Sequence, residues 1–140
     1  MIRKYRENDL EAIMVIWRRA SELAHPFLTA EFLAQEAEAI REIHMPKANA
    51  WVYEADGMVM GFISLIGNEV GALFVDPAKA RTGIGRALMD VAAEMHPMLE
   101  VDVFAPNGIG RAFYEHYGFV EIGRSIHAAS GQELLRLRYG

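Results

Sequence analysis

"DPAKARTGIGRALMDVAAEM", Asp76 to Met95, is the stretch on which the reading of this chain turns. Gly83 and Gly85 form a Gly-x-Gly pair at the head of a segment in which Ile84, Leu88, Val91 and Met95 recur on one helical stripe. A glycine turn that opens a helix presents free backbone N–H groups and the positive end of the helix dipole, which suits an anion and above all a phosphate. The apolar run "GALFV", Gly71 to Val75, precedes the turn as a strand. The expectation is strand, turn, helix, with a phosphate at the turn or with no ligand, because a bare tight turn uses the same glycines.

Working outward, "AWVYEADGMVMGFISLIGNEVGALFV", Ala50 to Val75, reads as strand, turn, strand, turn, strand. Asp56-Gly57 is a two-residue hairpin signal and Gly67-Asn68 a second turn. Met58 to Ile66 is apolar on both faces, as a covered central strand should be. Towards the N-terminus, "MIRKY" reads as a strand, and Asn8 is expected to cap a helix with Glu11 as its capping-box partner. Leu10, Ile13, Met14, Trp17 and Ala20 continue that helix on one face. "AHPFL", Ala24 to Leu28, interrupts it because Pro26 pushes His25 out of helical geometry. Thr29 then caps a second helix through Phe32, Leu33, Ile40 and Ile43. Towards the C-terminus, "LEVDVFA" alternates as a strand, Asn107 opens a short helix and Gly118 ends it. "FVEIGRSI" and "QELLRLRY" read as two strands joined near Ser130-Gly131, the last of which offers an edge through which two copies could pair as a homodimer. No repeat or linker intervenes, so residues 1–140 read as one α/β (α+β) domain with a single sheet covered on both faces.

Composition narrows the function. A net charge of −5 argues against a nucleic-acid binder, which would carry a basic stripe. No cysteine is present, which removes disulfides, thiolate metal sites and a cysteine nucleophile. The five histidines show no metal-ligand spacing, so no metal is expected. "MIRKYRENDL" lacks the apolar core of a signal peptide and no run is long enough to span a bilayer, so a cytoplasmic protein without membrane partners is the expectation.

Three kinds of phosphate ligand suit a glycine turn. A dinucleotide site wants the glycines directly after the strand and a third glycine in the helix, whereas here Asp76 to Thr82 intervene and Leu88 occupies the third position. A nucleoside-triphosphate loop wants Gly-Lys-Ser/Thr, whereas the chain has Gly85-Arg86-Ala87. The third is coenzyme A. "ALFVDPAKARTGIGRAL", Ala72 to Leu88, resembles the strand, pyrophosphate loop and following helix of the GNAT superfamily of N-acetyltransferases. "NGIGRAFYEHYGF", Asn107 to Phe119, resembles its later Asn…Phe-Tyr…Gly-Phe segment. The order of elements agrees over nearly the whole chain, and "IW", "AHPFL" and "GFVEIGRS" are similar to the bacterial YjaB-like branch. One departure stands out: the family's loop carries Gln or Arg three residues before its first glycine, where this chain has Ala80, with Arg81 beside it.

The resemblance implies a mixed, largely antiparallel sheet with a splayed central strand pair and helices on both faces. It implies acetyl-CoA as co-substrate and transfer of its acetyl group to a primary amine, on a small molecule or a protein, by direct attack in a ternary complex. The backbone of Leu73, Phe74 and Val75 would pair with the pantetheine arm, one N–H facing the oxyanion formed on attack. Arg81, Thr82, Gly83, Ile84, Gly85, Arg86 and Ala87 would hold the diphosphate, with Arg81 or Arg86 standing in for the missing side chain at Ala80. Asn107 would hydrogen-bond the arm or merely cap its helix. Tyr114 would stabilise the departing thiolate, its other reading being aromatic packing beside Phe113 and Tyr117. A lysine-like amine with a pKa of ~10.4 must lose a proton before it attacks. Glu69 is the favoured base, with Glu100, Asp102 or water as alternatives and a solvated turn residue as the plain reading of Glu69. His25 would border the acceptor cleft. With no cysteine and no Gly-x-Ser-x-Gly elbow, an acyl-enzyme is not expected. The rival to an enzyme is a non-catalytic acyl-CoA-binding or sensing module on the same fold.

Overall fold

The computed structural model describes residues 1–140. Its elements are β1 (Ile2–Lys4), a 3-10 turn (Glu7–Asp9), α1 (Leu10–Ala24), α2 (Ala30–Ala39), a π-turn (Ile40–His44) and α3 (Met45–Lys47). There follow β2 (Asn49–Ala55), β3 (Met58–Ile66), β4 (Glu69–Val75), a 3-10 turn (Pro77–Lys79) and α4 (Ile84–Met95). The chain ends with β5 (Leu99–Phe104), α5 (Gly108–Tyr117), β6 (Val120–Ile126) and β7 (Glu133–Tyr139). The seven strands form one sheet in the order β1-β2-β3-β4-β5-β7-β6. Every neighbouring pair is antiparallel except β4 and β5.

That exception organises the molecule. β4 and β5 pair only at Glu69–Glu100 and Val70–Val101, after which they separate. The cause lies one strand away. Against β3, Leu65 faces Val70 but Ser64 faces Ala72, so Gly71 is an extra residue in β4. A bulge of this kind bends its strand, and it falls where pairing with β5 stops. From Gly71 to Val75 the backbone of β4 has no strand partner on the β5 side. The expected mixed sheet with a splayed central pair is present.

Helices cover both faces. Ile13, Ile16 and Trp17 of α1, with Phe62 of β3 and Val52 of β2, form a core on one side. Ile84, Leu88, Met89 and Ala92 of α4 pack on Ile63, Leu99, Val101 and Val103 on the other. Asp56 and Gly57 both take positive φ, 54° and 74°, the hairpin geometry expected of that pair. Thr29 caps α2, accepting from the Phe32 N–H at 3.0 Å.

Four local expectations are corrected. Asn8 caps nothing: the Asp9 carboxylate accepts from the Arg6 N–H at 2.8 Å, and α1 starts at Leu10. Ile43 is exposed because the π-turn inserts a residue, so the buried face passes from Ile40 to Met45, five positions on. The buried stripe of α4 is Ile84, Leu88 and Ala92 with Met89, leaving Met95 exposed. Finally, β7 is no edge. It lies between β5 and β6, so β6 is the outer strand at that end of the sheet.

Arg3 ties β1 to the start of α1. Its guanidinium donates to both Asp9 oxygens at 2.9 and 2.8 Å and to Glu54 at 3.1 Å. The Arg3 hydrogen bond holds the Asp9 carboxyl below the ordinary carboxylate range against the opposing effect of burial. A depressed folded-state pKa means that this stabilisation is complete above the unfolded value and fades as pH falls through the folded one. Asp9→Asn is expected to cost about 2 kcal/mol at neutral pH. Urea denaturation should show the difference from wild type shrinking below pH ~3.9; a deficit that stays constant to acid pH would refute the ion-pair account.

Candidate functional site

The turn before α4 is built from backbone. Asp76 ends β4 and accepts from the Ala78 N–H at 3.0 Å, while Arg19 of α1 reaches Asp76 at 3.2 Å. The Thr82 hydroxyl donates to the Lys79 carbonyl at 2.6 Å and closes the loop. Arg81 and Gly83 take the left-handed conformation, with φ of 64° and 88°. The Ala87 N–H donates to the Gly83 carbonyl at 3.0 Å. The N–H groups of Gly83, Ile84, Gly85 and Arg86 at the helix start therefore have no helical partner, a geometry that suits an anion.

The two glycines have different reasons. Gly83 is required by its φ, since a side chain there would meet nothing within 4 Å. Gly85 is required by close approach: a Cβ would lie 3.1 Å from Cε1 of Phe113 and 3.7 Å from Cγ2 of Val75. So Gly85 lets α4 and α5 meet at the end of β4.

The arginines also differ. Arg86 lies over the Tyr117 ring at 5.1 Å, and the Tyr117 hydroxyl donates to Asp90 at 2.6 Å. Arg81 and Lys79 make no ion pair and border the cavity described next. Lys79 carries no sequence signal beyond its charge and was not anticipated.

A cavity of about 1250 Å³ joins the turn to the splayed strands. Its wall includes Leu73, Phe74 and Val75 of β4, Arg81, Gly83, Ile84, Gly85 and Arg86 of the turn, and Asn107 and Tyr114 of α5. Residues far apart in sequence thus meet around one space. Thr82 and Ala87 stand off the wall; their part is to hold the turn. The unpaired β4 backbone, the free N–H groups and the unpaired cations suit a long ligand with amides in its middle and phosphates at one end, as coenzyme A has.

Asn107 caps α5, its Oδ1 accepting from the Gly110 N–H at 2.9 Å. Its Nδ2 lies 3.2 Å from Nε2 of His25, at the end of α1. The His25 ring stands edge-on to Phe27, Phe74 and Phe104, and burial pushes its pKa below the ordinary histidine value. Tyr114 is 8% exposed, and burial raises its pKa, which keeps the hydroxyl neutral. That hydroxyl donates to no protein group, whereas the ring packs edge-on to Phe113 and Phe119. The packing reading of Tyr114 holds for its ring, and the residue also borders the cavity.

Glu69 does not reach the wall. Its carboxylate is bound by Arg136 of β7, which also reaches Glu100 at 2.8 Å and Asp102 at 3.3 Å. The Arg136 hydrogen bond, helped by Arg138, depresses the Glu100 pKa. Of these three carboxylates only Asp102 borders the cavity. The alternating acids of β5 were visible in the sequence, but their arginine was not, because only the β5–β7 register brings Arg136 opposite Asp102.

A family model described as an acetyltransferase (GNAT) domain matches residues 9–134. The chain is 35% identical over 120 residues to the peptidyl-lysine N-acetyltransferase YiaC of Escherichia coli strain K12, covering 85% of this chain and 82% of that protein. It is 36% identical over 126 residues to the peptidyl-lysine N-acetyltransferase YjaB of the same organism, covering 89% and 84%. The solution structure of apo-form YjaB matches with a TM-score of 0.89 at 33% identity, over 99% of this chain and 96% of that one. The PaiA N-acetyltransferase of Thermoplasma acidophilum, crystallised in complex with coenzyme A, shares the fold with a TM-score of 0.81 at 19% identity, over 99% and 98%.

The packing role of Gly85 is testable without any ligand. Gly85→Ala should cost about 1–3 kcal/mol, the usual scale of overpacking. In a Phe113→Ala background the same substitution should cost much less, because the atoms its Cβ would meet are gone. Equal costs in the two backgrounds, measured by urea denaturation, would detach Gly85 from Phe113.

Proposed function

The chain belongs to the GNAT acetyltransferases, and from that premise we propose that it moves the acetyl group of acetyl-CoA to the side-chain amine of a lysine in a protein, by direct attack in a ternary complex. One observation carries the reading: a single cavity unites the anion turn, the unpaired edge of β4 and the neutral hydroxyl of Tyr114. The lysine acceptor follows the names of the two relatives, YiaC and YjaB. Glu36 on the cavity wall, which makes no ion pair, adds negative charge that suits a cationic side chain.

Bound acetyl-CoA supplies the activated thioester. The N–H groups of Gly83 to Arg86, with Arg81 and Lys79, hold its diphosphate, and the backbone of Leu73 to Val75 aligns its pantetheine arm. A β4 N–H in this unpaired stretch stabilises negative charge on the carbonyl oxygen as the amine nitrogen attacks. The new C–N bond forms, the C–S bond breaks, and the Tyr114 hydroxyl hydrogen-bonds the sulfur as its charge grows. Tyrosine holds its proton more tightly than a thiol of pKa about 8.5, by roughly 2 kcal/mol before burial adds to the gap. Tyr114 therefore donates a hydrogen bond and keeps its proton. The proton lost by the amine passes to water, with Glu69 acting on the acceptor through that water because its carboxylate lies outside the wall.

A lysine-containing peptide with acetyl-CoA, followed by thiol release and product mass, tests the reading. Wild type should acetylate the free lysine and leave a side-chain-blocked peptide untouched; no thiol release with any lysine peptide would reject it. In the same assay Tyr114→Phe should lower kcat by up to ~10²-fold with little change in the Kd for CoA. Unchanged turnover, with chemistry rate-limiting, would leave Tyr114 only its packing role.

Glu69→Gln separates a proton-transfer role from a structural one. Arg136 keeps Glu100 and Asp102 in this variant, so the fold should hold. The rate deficit should be largest near neutral pH and should shrink as the pH approaches the pKa of the free amine, where neutral nucleophile is plentiful. A deficit independent of pH would mean that Glu69 serves only to position Arg136.

A further inference from the structure

His25 stands where the two lips of the gap are furthest from their last shared pair. Its ring centroid lies 6.4 Å from that of Phe74 on β4 and 5.3 Å from that of Phe104 on β5. The phosphate turn follows the end of β4, and Gly85 packs near Val75. The turn and His25 border the same cavity, so a linear ligand anchored at the turn and lying in the gap would come alongside this ring.

The hydrogen bonds around His25 fix its polarity. Gly110 donates its N–H to Oδ1 of Asn107, so the amide oxygen is committed to the start of α5. The other end of the amide, Nδ2, therefore faces Nε2 of His25 at 3.2 Å. An amide nitrogen can only donate, so Nε2 accepts, and the proton of the neutral ring sits on Nδ1. Nδ1 has no hydrogen-bond partner in the protein, while the residue borders the cavity.

We propose that the Nδ1–H of His25 is a binding donor for the donor substrate, hydrogen-bonding an amide carbonyl of the pantetheine arm opposite the β4 backbone. The inference rests on acyl-CoA occupying the gap. The arm carries amide carbonyls, and the rings of Phe27, Phe74 and Phe104 set His25 among apolar surface, where a hydrogen bond is stronger than in water. The same polarity removes His25 as the base for the amine. Taking a proton on Nε2 would break the bond from Asn107 and leave a charged ring among three phenylalanines.

Calorimetric titrations with CoA and with its nucleotide half, 3′-phospho-ADP, test this. His25→Phe keeps a ring but removes the donor, and it should weaken CoA about tenfold while leaving 3′-phospho-ADP within about twofold. His25→Asn, whose amide N–H lies near the Nδ1 position, should recover part of the loss. Equal CoA affinity in wild type and His25→Phe overturns the proposal, and so does equal weakening of both ligands, which would mark a distorted wall. Nitrogen-resolved imidazole NMR of wild type gives an answer even where a variant fails to fold. The ring proton should sit on Nδ1, and its resonance should move with CoA but not with 3′-phospho-ADP. A proton on Nε2, or no response to CoA, overturns it. A wild type that binds no CoA instead rejects acyl-CoA as occupant of the gap, a result distinct from a His25 that makes no difference.

Discussion

One extra residue in β4 separates this molecule from an ordinary sheet. Gly71 breaks the register with β3, the strand bends, and its pairing with β5 ends after Val70. A central strand then carries backbone N–H and C=O groups with no partner in the chain. Such groups cost about 1–3 kcal/mol each when buried and unmet, so the gap persists only if water or a ligand meets them. The residues that carry them line the cavity. Fold and binding site thus have one origin: the defect in the ladder is the place where a chain of amides can complete it.

A gap in a sheet needs its sides held, and polar side chains do this at three levels. At the closed end, Arg136 of β7 gathers Glu69 of β4 with Glu100 and Asp102 of β5, spanning the last paired residues. At the open end, Arg19 of α1 reaches Asp76 just beyond β4. Across the mouth, His25 joins the end of α1 to the cap of α5 through Asn107. Arg19 and Asp102 are well exposed, so none of these contacts contributes more than a modest energy alone. Their effect is geometric. They tie the strands and helices around the gap to one another beyond the last β4–β5 pair.

What the sequence made legible was whatever depends on backbone chemistry over short range. The turn at Asp56-Gly57, the cap at Thr29, the bounds of β3 and the anion turn before α4 are local, and each carries a residue type that physics restricts. Ile43 was misplaced because a π-turn changes the helical period without leaving a distinctive residue behind. The edge role of the last strand was misread because strand order is not local: β7 inserts between β5 and β6, which no hairpin signal at Ser130-Gly131 reveals. In the site, the structure gives the two glycines separate reasons, a left-handed φ at Gly83 and the Phe113 ring at Gly85, and the second lay beyond local reading, since Phe113 is 28 positions from Gly85 and meets it only when α4 and α5 pack. The partners of Glu69 and Asn107 were hidden in the same way, in Arg136 and His25 from remote segments.

Two tyrosines on α5 show how environment divides one chemistry. Tyr117 donates its hydroxyl to Asp90 at 2.6 Å and carries Arg86 over its ring, so both its polar and its aromatic capacity are spent in joining α5 to α4. Burial and the Asp90 carboxylate raise its pKa together. Tyr114, three residues earlier, is raised by burial alone and keeps its hydroxyl free at the cavity. Burial disfavours the phenolate, so the hydroxyl keeps its proton at neutral pH and remains a donor there. A departing thiolate needs stabilisation more than it needs a proton, since a thiol of pKa about 8.5 is ionised readily and can be protonated by solvent afterwards. In the proposed reaction, the same burial that would disqualify Tyr114 as a proton-transferring acid would suit it to the lesser task. The half-buried, committed Tyr117 could not exchange places with it.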